Sequence, residues 1–362
     1  MFSATGVLIF SILAAIAIKA LIEIIFKRFF KEVKFKYMVM ALIIMLFGSQ
    51  ILVLNGIPRL YEVPIIAGLF FAIAGIDFIL MSAYEKEISY KKMFIGLTFL
   101  ALSVACRPTE LFASLIILPI LLKIFIDNIR KKQNIVKNIL AVVIPYLTIG
   151  ILLMIYNYLR FENVLEFGAK YQLTINDMYH LKNRLPTAIM GIICSLFSIP
   201  VFISTFPFLT NHNNLISFYG YYYIENMIGG LFILVPICFA NFKLATVLRK
   251  SKKKELVEFV ISLIAVGIII TMLSVIMGGS MQRYIVDYGW MFILAGISIF
   301  LEIKEIYTTR EAKHLLKKIF AIVTIYIVVI NLCAGILSEK SYMKEISPEM
   351  YNKLKYTIDF WE

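Results

Sequence analysis

The stretch Met93–Leu122, MFIGLTFLALSVACRPTELFASLIILPILL, decides the fold. Two apolar runs, Met93 to Cys106 and Leu111 to Leu122, flank the polar tetrapeptide Arg107-Pro108-Thr109-Glu110. The residue before a proline is pushed out of the helical region, so the first run ends at the arginine. A guanidinium stays charged in any protein environment. At membrane depth it costs at least ~2.5–3.5 kcal/mol even on lenient insertion scales. The stretch therefore reads as a membrane hairpin, with Arg107 at its tip near the surface or in a wet cavity.

The rest of the chain repeats this pattern. Of its 362 residues 61% are hydrophobic and 16% charged, with a mean hydropathy of +0.87. A soluble domain is closer to half apolar and a quarter charged. Apolar runs near the length that crosses ~30 Å of hydrocarbon recur from end to end. The expected fold is all-α, a polytopic transmembrane helical bundle with about ten spans: 4–26, 37–54, 63–84, 92–106, 110–126, 138–158, 224–242, 257–277, 284–302 and 318–338. Pro186 to Leu209 is apolar but begins and ends on the same side once the loops are assigned by charge. With Pro186, Pro200 and Pro207 in it, this segment is expected to form a re-entrant or interfacial pair of short helices broken at Pro200. Residues 1–338 then form one transmembrane domain, with an outer loop and re-entrant segment at 159–223 and an outer-face tail at 339–362.

Net charge is +13. Nucleic acid is not the reason, because the lysines sit in short loops between apolar spans and no basic-aromatic platform lies outside them. Five loops, 27–36, 86–92, 123–137, 243–254 and 304–318, hold 24 of the 36 Lys and Arg, and the opposite side holds 11. That bias places the five loops in the cytoplasm and both termini outside a cell membrane crossed many times. Lys19 lies within the first span, four residues before Glu23, where it can pair or snorkel. The N-terminal run 4–26 is too long for the apolar core of a cleaved signal and reads as a span. Cys106, Cys194, Cys238 and Cys333 are isolated in apolar surroundings, and His180, His212 and His314 share no ligand spacing, so no protein-built zinc site is expected.

Four polar clusters fall on the outer side. They are Pro58 to Glu62, Arg107 to Glu110, Tyr156 to Gln172, and Gly278 to Tyr288. Arginine grips phosphate through two parallel hydrogen bonds, so Arg107, Arg160 and Arg283 meeting in one hollow would hold a phosphate whose lipid tail lies in the bilayer. Should they point to separate regions, that reading loses its basis. Arg283 and Asp287, four apart, would share a helix face and pair, and Asn157 and Arg160 would face one way. Each cluster also has a plainer reading: a solvated hairpin tip, a structural ion pair, interfacial tyrosines, a solvated cap.

The segments PRLYEVPIIAGLFFAIAG (Pro58–Gly75), ACRPTELFASLIILPILL (Ala105–Leu122), YNYLRFENVLEFGAKYQLT (Tyr156–Thr174) and QRYIVDYGWMFILAG (Gln282–Gly296) resemble bacterial membrane proteins related to the GT-C glycosyltransferases. The resemblance runs from about Val53 to the tail. It implies a bundle whose outward cavity moves a sugar from a polyprenyl-phosphate donor to a cell-envelope acceptor. The outer-side clusters supply the candidate binding residues Arg59, Tyr61, Arg107, Asn157, Arg160, Tyr171, Gln172, Arg283 and Tyr284. Members of that family carry a catalytic acid in the loop after a first outward-running span. Here the first span runs inward, so that span and its acid are expected to come from a longer reading frame or from a partner chain, or the chain is a non-catalytic relative. If catalysis persists, Glu62, Glu110, Glu166 and Asp287 are the candidate bases, and carboxylates could hold a divalent cation. A lipid or small-molecule transporter is the competing class, with midplane charges and inverted repeats as its signature.

Overall fold

The computed structural model describes all residues except 1, 86, 132–135, 169–170, 172–183, 211–215, 219–220, 224–226, 338–343, 345–346 and 360–362. The described chain is helical apart from two short antiparallel hairpins. Among the described residues seven helical segments are long and apolar enough to cross a membrane: Phe2–Phe29, Glu62–Ala83, Pro108–Arg130, Ile139–Phe161, Lys254–Gly278, Gln282–Ile306 and Arg310–Ile336. This is a multi-pass membrane protein.

The expected count of about ten is not reached by this measure, for a physical reason at each missing span. The run expected at 37–54 is broken. Helix α2 (Phe35–Gly48) stops at Gln50, whose φ of 63° is left-handed, and α3 (Ile51–Gly56) resumes beyond it. The run at 92–106 is helical but only 17 residues long (α5, Tyr90–Cys106), started by Ser89, whose hydroxyl accepts from the Lys92 amide. The described part of the run at 224–242 holds two pieces, α9 (Leu231–Leu234) and a 3-10 segment Pro236–Lys243, and α10 (Leu244–Lys250) follows it. Pro236 cannot continue the helix before it.

The other helices are α1 (Phe2–Phe29), α4 (Glu62–Ala83), α6 (Leu118–Arg130), α7 (Val136–Phe161), α8 (Arg184–Phe197), α11 (Lys254–Gly278), α12 (Ile285–Ile306), α13 (Arg310–Ile336) and α14 (Pro348–Ile358). Helix α12 is the axis. Every residue from Ile285 to Ile303 is buried, Trp290 and Tyr288 fully. Helices α2, α4, α11 and the α9–α10 pieces pack around it, and α1 and α5 close the bundle against α4. Helix α7 is peripheral, set against α5, with only 11% of its apolar window buried.

Helices α4 and α5 touch backbone to backbone. A methyl group on Gly75 would lie 2.8 Å from the Gly96 carbonyl oxygen, and one on Gly96 would lie 2.7 Å from that of Gly75. Small residues permit such contact in membranes, where dispersion rather than water expulsion holds helices together. Gly96→Val is expected to destabilise the protein by about 1–3 kcal/mol through overpacking, read as a lower unfolding midpoint in detergent. An unchanged midpoint would mean that the two helices do not approach so closely.

The segment 186–209 also departs from expectation. It contains one short helix, α8, against the last turns of α11, followed by the hairpin β1 (Val201–Phe202) and β2 (Leu209–Thr210), not a second helix. Strands β3 (Ile216–Phe218) and β4 (Tyr221–Tyr223) form the second hairpin. In the tail, α14 ends at Asp359, whose carboxylate accepts from the Phe206 amide at 2.9 Å while Tyr351 packs on the Phe206 ring. The tail thus has a helix docked on the first hairpin.

Charge divides the bundle into two ends. Residues of the loops at 27–36, 253 and 304–317 line one cleft, and Glu255 joins Arg28 to Lys123 there. Asp287 and Arg283 lie at the other end of the central helix, roughly 25 Å from Lys304 at 1.5 Å per residue.

Candidate functional site

The Arg107-Pro108 step builds the site. Arg107 is extended (φ −148°, ψ 123°), as a residue before proline must be, and Pro108 opens a ten-residue 3-10 segment, Pro108–Ile117. So long a 3-10 run is unusual and marks strain or function. The turn aims the arginine inward. Its side chain is 19% exposed and its Nη2 lies 3.2 Å from Asp287 Oδ2.

Arg283 arrives from the second element. Gly279, with φ of 80°, turns the chain out of α11 in a conformation that disfavours any side chain. Gly278 leaves room for the Tyr284 ring, which a methyl group there would meet at 2.5 Å. Arg283 sits in the 3-10 turn Gln282–Tyr284 just before α12, so the helical i,i+4 pairing expected with Asp287 is not formed. Arg283 instead lies 3.7 Å from Glu62 Oε1, at the first turn of α4. The Tyr284 ring receives both guanidiniums, Arg107 at 4.7 Å and Arg283 at 5.4 Å, and Arg283 lies 6.0 Å from the Tyr61 ring.

Glu110, one turn past Arg107, completes the cluster. It is 1% exposed, interacts with both Arg107 and Asp287, and lies under α4 where Gly68 leaves space beside its Cγ. Three carboxyls, Glu62, Glu110 and Asp287, thus share two guanidiniums. Among the described residues, Glu110 Oε2 and Asp287 Oδ1 are buried without a hydrogen-bond partner. A buried carboxylate oxygen left unbonded is costly and is a position from which a ligand proton can be accepted.

The other candidates lie apart. Arg160, in the last turn of α7, folds back on its own helix: Nη1 donates to the Tyr156 hydroxyl at 3.0 Å and the guanidinium covers the Phe161 ring at 4.8 Å. Asn157 is buried and donates to the Val164 carbonyl, whereas Arg160 is exposed, so the two do not face one way. Tyr171 stacks on Phe161 at 5.2 Å, and Glu166 accepts from the Gly168 amide, closing the loop on itself. The expected meeting of three arginines is therefore corrected to two, because α7 packs only at the edge of the bundle. Arg59 is exposed beside the cluster, and Gln172 lies outside the described residues. Among the described residues no group of three or more His, Cys, Asp or Glu is placed to hold a metal ion by itself.

Sequence reasoning missed a second network under the site. Gln282 Oε1 accepts from the amides of Ile228 and Gly229 at 3.0 and 3.3 Å, and its Nε2 donates to Gln50 Oε1 at 3.0 Å. Gln50 Nε2 donates to Asn331 Oδ1 at 2.6 Å, and Asn331 donates to the Leu234 carbonyl. These amides hold the break between α2 and α3 and the bend before α9, where irregular backbone would otherwise lie unsatisfied inside the membrane. The signal was legible: Gln50 and Asn331 are polar residues inside apolar runs, and such residues glue helices together.

Comparison with protein-family models, with curated proteins and with solved structures finds no match to this chain.

Proposed function

We propose that this chain is a membrane transferase of the polyprenyl-phosphate-sugar type, or a member of such an assembly, with its lysine-rich loops in the cytoplasm and both termini outside. In this orientation the broken segments 35–56 and 231–250 and the short α5 complete ten crossings. The Arg107–Arg283 cluster then lies on the side of the outer leaflet. The supporting observation is the sheltered cluster of two guanidiniums and three carboxyls, with partnerless oxygens on Glu110 and Asp287. In the reaction the acceptor oxygen bonds to the anomeric carbon as the bond from that carbon to the donor phosphate breaks. The lipid phosphate leaves with the electron pair, stabilised by Arg283 and Arg107, and the hydroxyl proton passes to Asp287 or Glu110.

Binding tests this without requiring turnover. Purified protein is expected to bind a polyprenyl phosphate at least tenfold more tightly than the matching polyprenol. Arg283→Ala removes on the order of tenfold of that preference, and Arg160→Ala leaves it within about twofold, since Arg160 stands outside the cluster. Equal affinity for the phosphate and the alcohol would end the headgroup reading.

One observation favours a second reading, a non-catalytic relative. Arg107 already faces Asp287 and Arg283 already faces Glu62, so the cluster can serve as an internal clamp between the Arg107 turn, α4 and α12. In that case Asp287→Leu combined with Arg107→Met leaves any preference for lipid phosphate over the alcohol unchanged.

A further inference from the structure

The opposite end of the bundle carries a strongly basic cleft. The cleft, about 1130 Å³, is lined by nine Lys and Arg against two glutamates, Glu32 and Glu305. Some of this charge is spoken for: Arg28 pairs with Glu255, and Lys253 pairs with Glu302 and Glu305. Among the described residues Lys31, Lys34, Lys36, Lys304, Lys313 and Lys317 form no ion pair. Lys304, over the Tyr37 ring at 4.2 Å, feels Glu305 as an opposite charge and Lys313, Lys36 and Lys34 as like charges. Orientation in the membrane requires basic loops but not that lysines from three separate loops converge on one hollow, where each repels the others.

Two further features say what fills it. The first turn of α13, with no side-chain cap, lines the cleft through Arg310, Lys313 and His314, so the positive end of a 27-residue helix adds to the lysine field. Beside Lys34 and Lys36, α2 leaves Phe35 72% and Val39 37% exposed, one turn apart on one face. An anionic head in the cleft would thus have apolar surface next to it for acyl chains. We propose that this cleft binds the phosphodiester head of an anionic phospholipid of the surrounding leaflet, between the α1–α2 loop and the start of α13. Basic hollows between membrane helices take such headgroups through charge-assisted hydrogen bonds. The site is independent of the Arg107 cluster and of the transferase reading.

The test uses the full chain in zwitterionic detergent, titrated with phosphatidylglycerol, with phosphatidylcholine of the same acyl chains, and with inorganic phosphate. The thermal midpoint and the lipid retained in native mass spectrometry are both read. Phosphatidylglycerol is expected to raise the midpoint and stay bound, and the other two to do neither. Lys34→Glu with Lys313→Glu should weaken phosphatidylglycerol binding on the order of tenfold or more. Lys34→Arg with Lys313→Arg should preserve it, as should Lys91→Glu with Lys252→Glu, which reverses exposed lysines of the lysine-rich loops that do not line the cleft. The comparison is of lipid-induced shifts within each variant, so a less stable variant still reports. Equal weakening by the two reversal pairs would reduce the cleft to diffuse surface charge and overturn the proposal. So would inorganic phosphate reproducing the full shift, because the site would then need no lipid.

Discussion

Arg107→Met is expected to cost about 3–5 kcal/mol of stability, and adding Asp287→Leu to return most of that loss. The single change removes the guanidinium 3.2 Å from Asp287 and leaves two carboxyls, Asp287 and Glu110, facing each other in the interior. Without Arg107, Asp287 keeps the influence of Arg283, which also lies 3.7 Å from Glu62. The double change removes one partner of the carboxyl repulsion together with the charge that balanced it. Replacing a buried pair by apolar groups of similar volume is often neutral, whereas breaking it is not. The measurement is reversible unfolding of the four proteins of the cycle in mixed micelles. A single-mutant loss below about 1 kcal/mol would mean that Arg107 is solvated and the pair is incidental. The same four proteins separate the two functional readings: a stable double mutant that no longer distinguishes polyprenyl phosphate from polyprenol supports a binding site, and one that still does supports a clamp.

Gln282→Leu is expected to cost about 3 kcal/mol or more. It strips a partner from the amides of Ile228 and Gly229 and from the side chain of Gln50, all buried, and each stranded group costs roughly 1–3 kcal/mol. Gln50 has a further reason to fail, since its left-handed backbone is uncommon for a residue with a side chain and is held in place by Gln282 and Asn331. Asn331→Leu should therefore couple with Gln282→Leu, the double loss differing from the sum by about 0.5–3 kcal/mol. Faster amide exchange at Gly229 in Gln282→Leu would locate the opening. Additive losses of a few tenths of a kcal/mol would show that the amides merely coexist.

Some of the site was legible in the sequence. The Arg107-Pro108 step announced a helix end with a charge that had to be sheltered, and Glu110, Arg283, Tyr284 and Asp287 lay in the same short polar interruptions. Partner choice was not legible. Arg283 and Asp287 stand four apart, a spacing that pairs residues only inside a regular helix, and the 3-10 turn at Gln282–Tyr284 hands Arg283 to Glu62 instead. Arg160 also stands in a polar interruption of an apolar chain, but it sits at the end of α7, which among the described residues packs chiefly on α5.

The apolar runs and the gathering of lysines between them belong to the sequence alone, because affinity for a hydrocarbon layer depends on local hydrophobicity and charge; where a run breaks, as at Gln50, does not. Nor does the choice of which helix becomes the axis. Helices α7 and α12 are both apolar all round and both carry glycine, yet a methyl group on Gly296 of α12 would meet the Ile237 carbonyl at 2.6 Å, and one on Gly150 of α7 would meet nothing within 4 Å. Lipid and protein interior are equally greasy, so hydrophobicity cannot tell a lipid-facing helix from a buried one. Only the packing of α2, α4 and α11 around α12 decides that Asp287 is buried, that Arg107 turns inward to meet it, and that Arg160 remains outside.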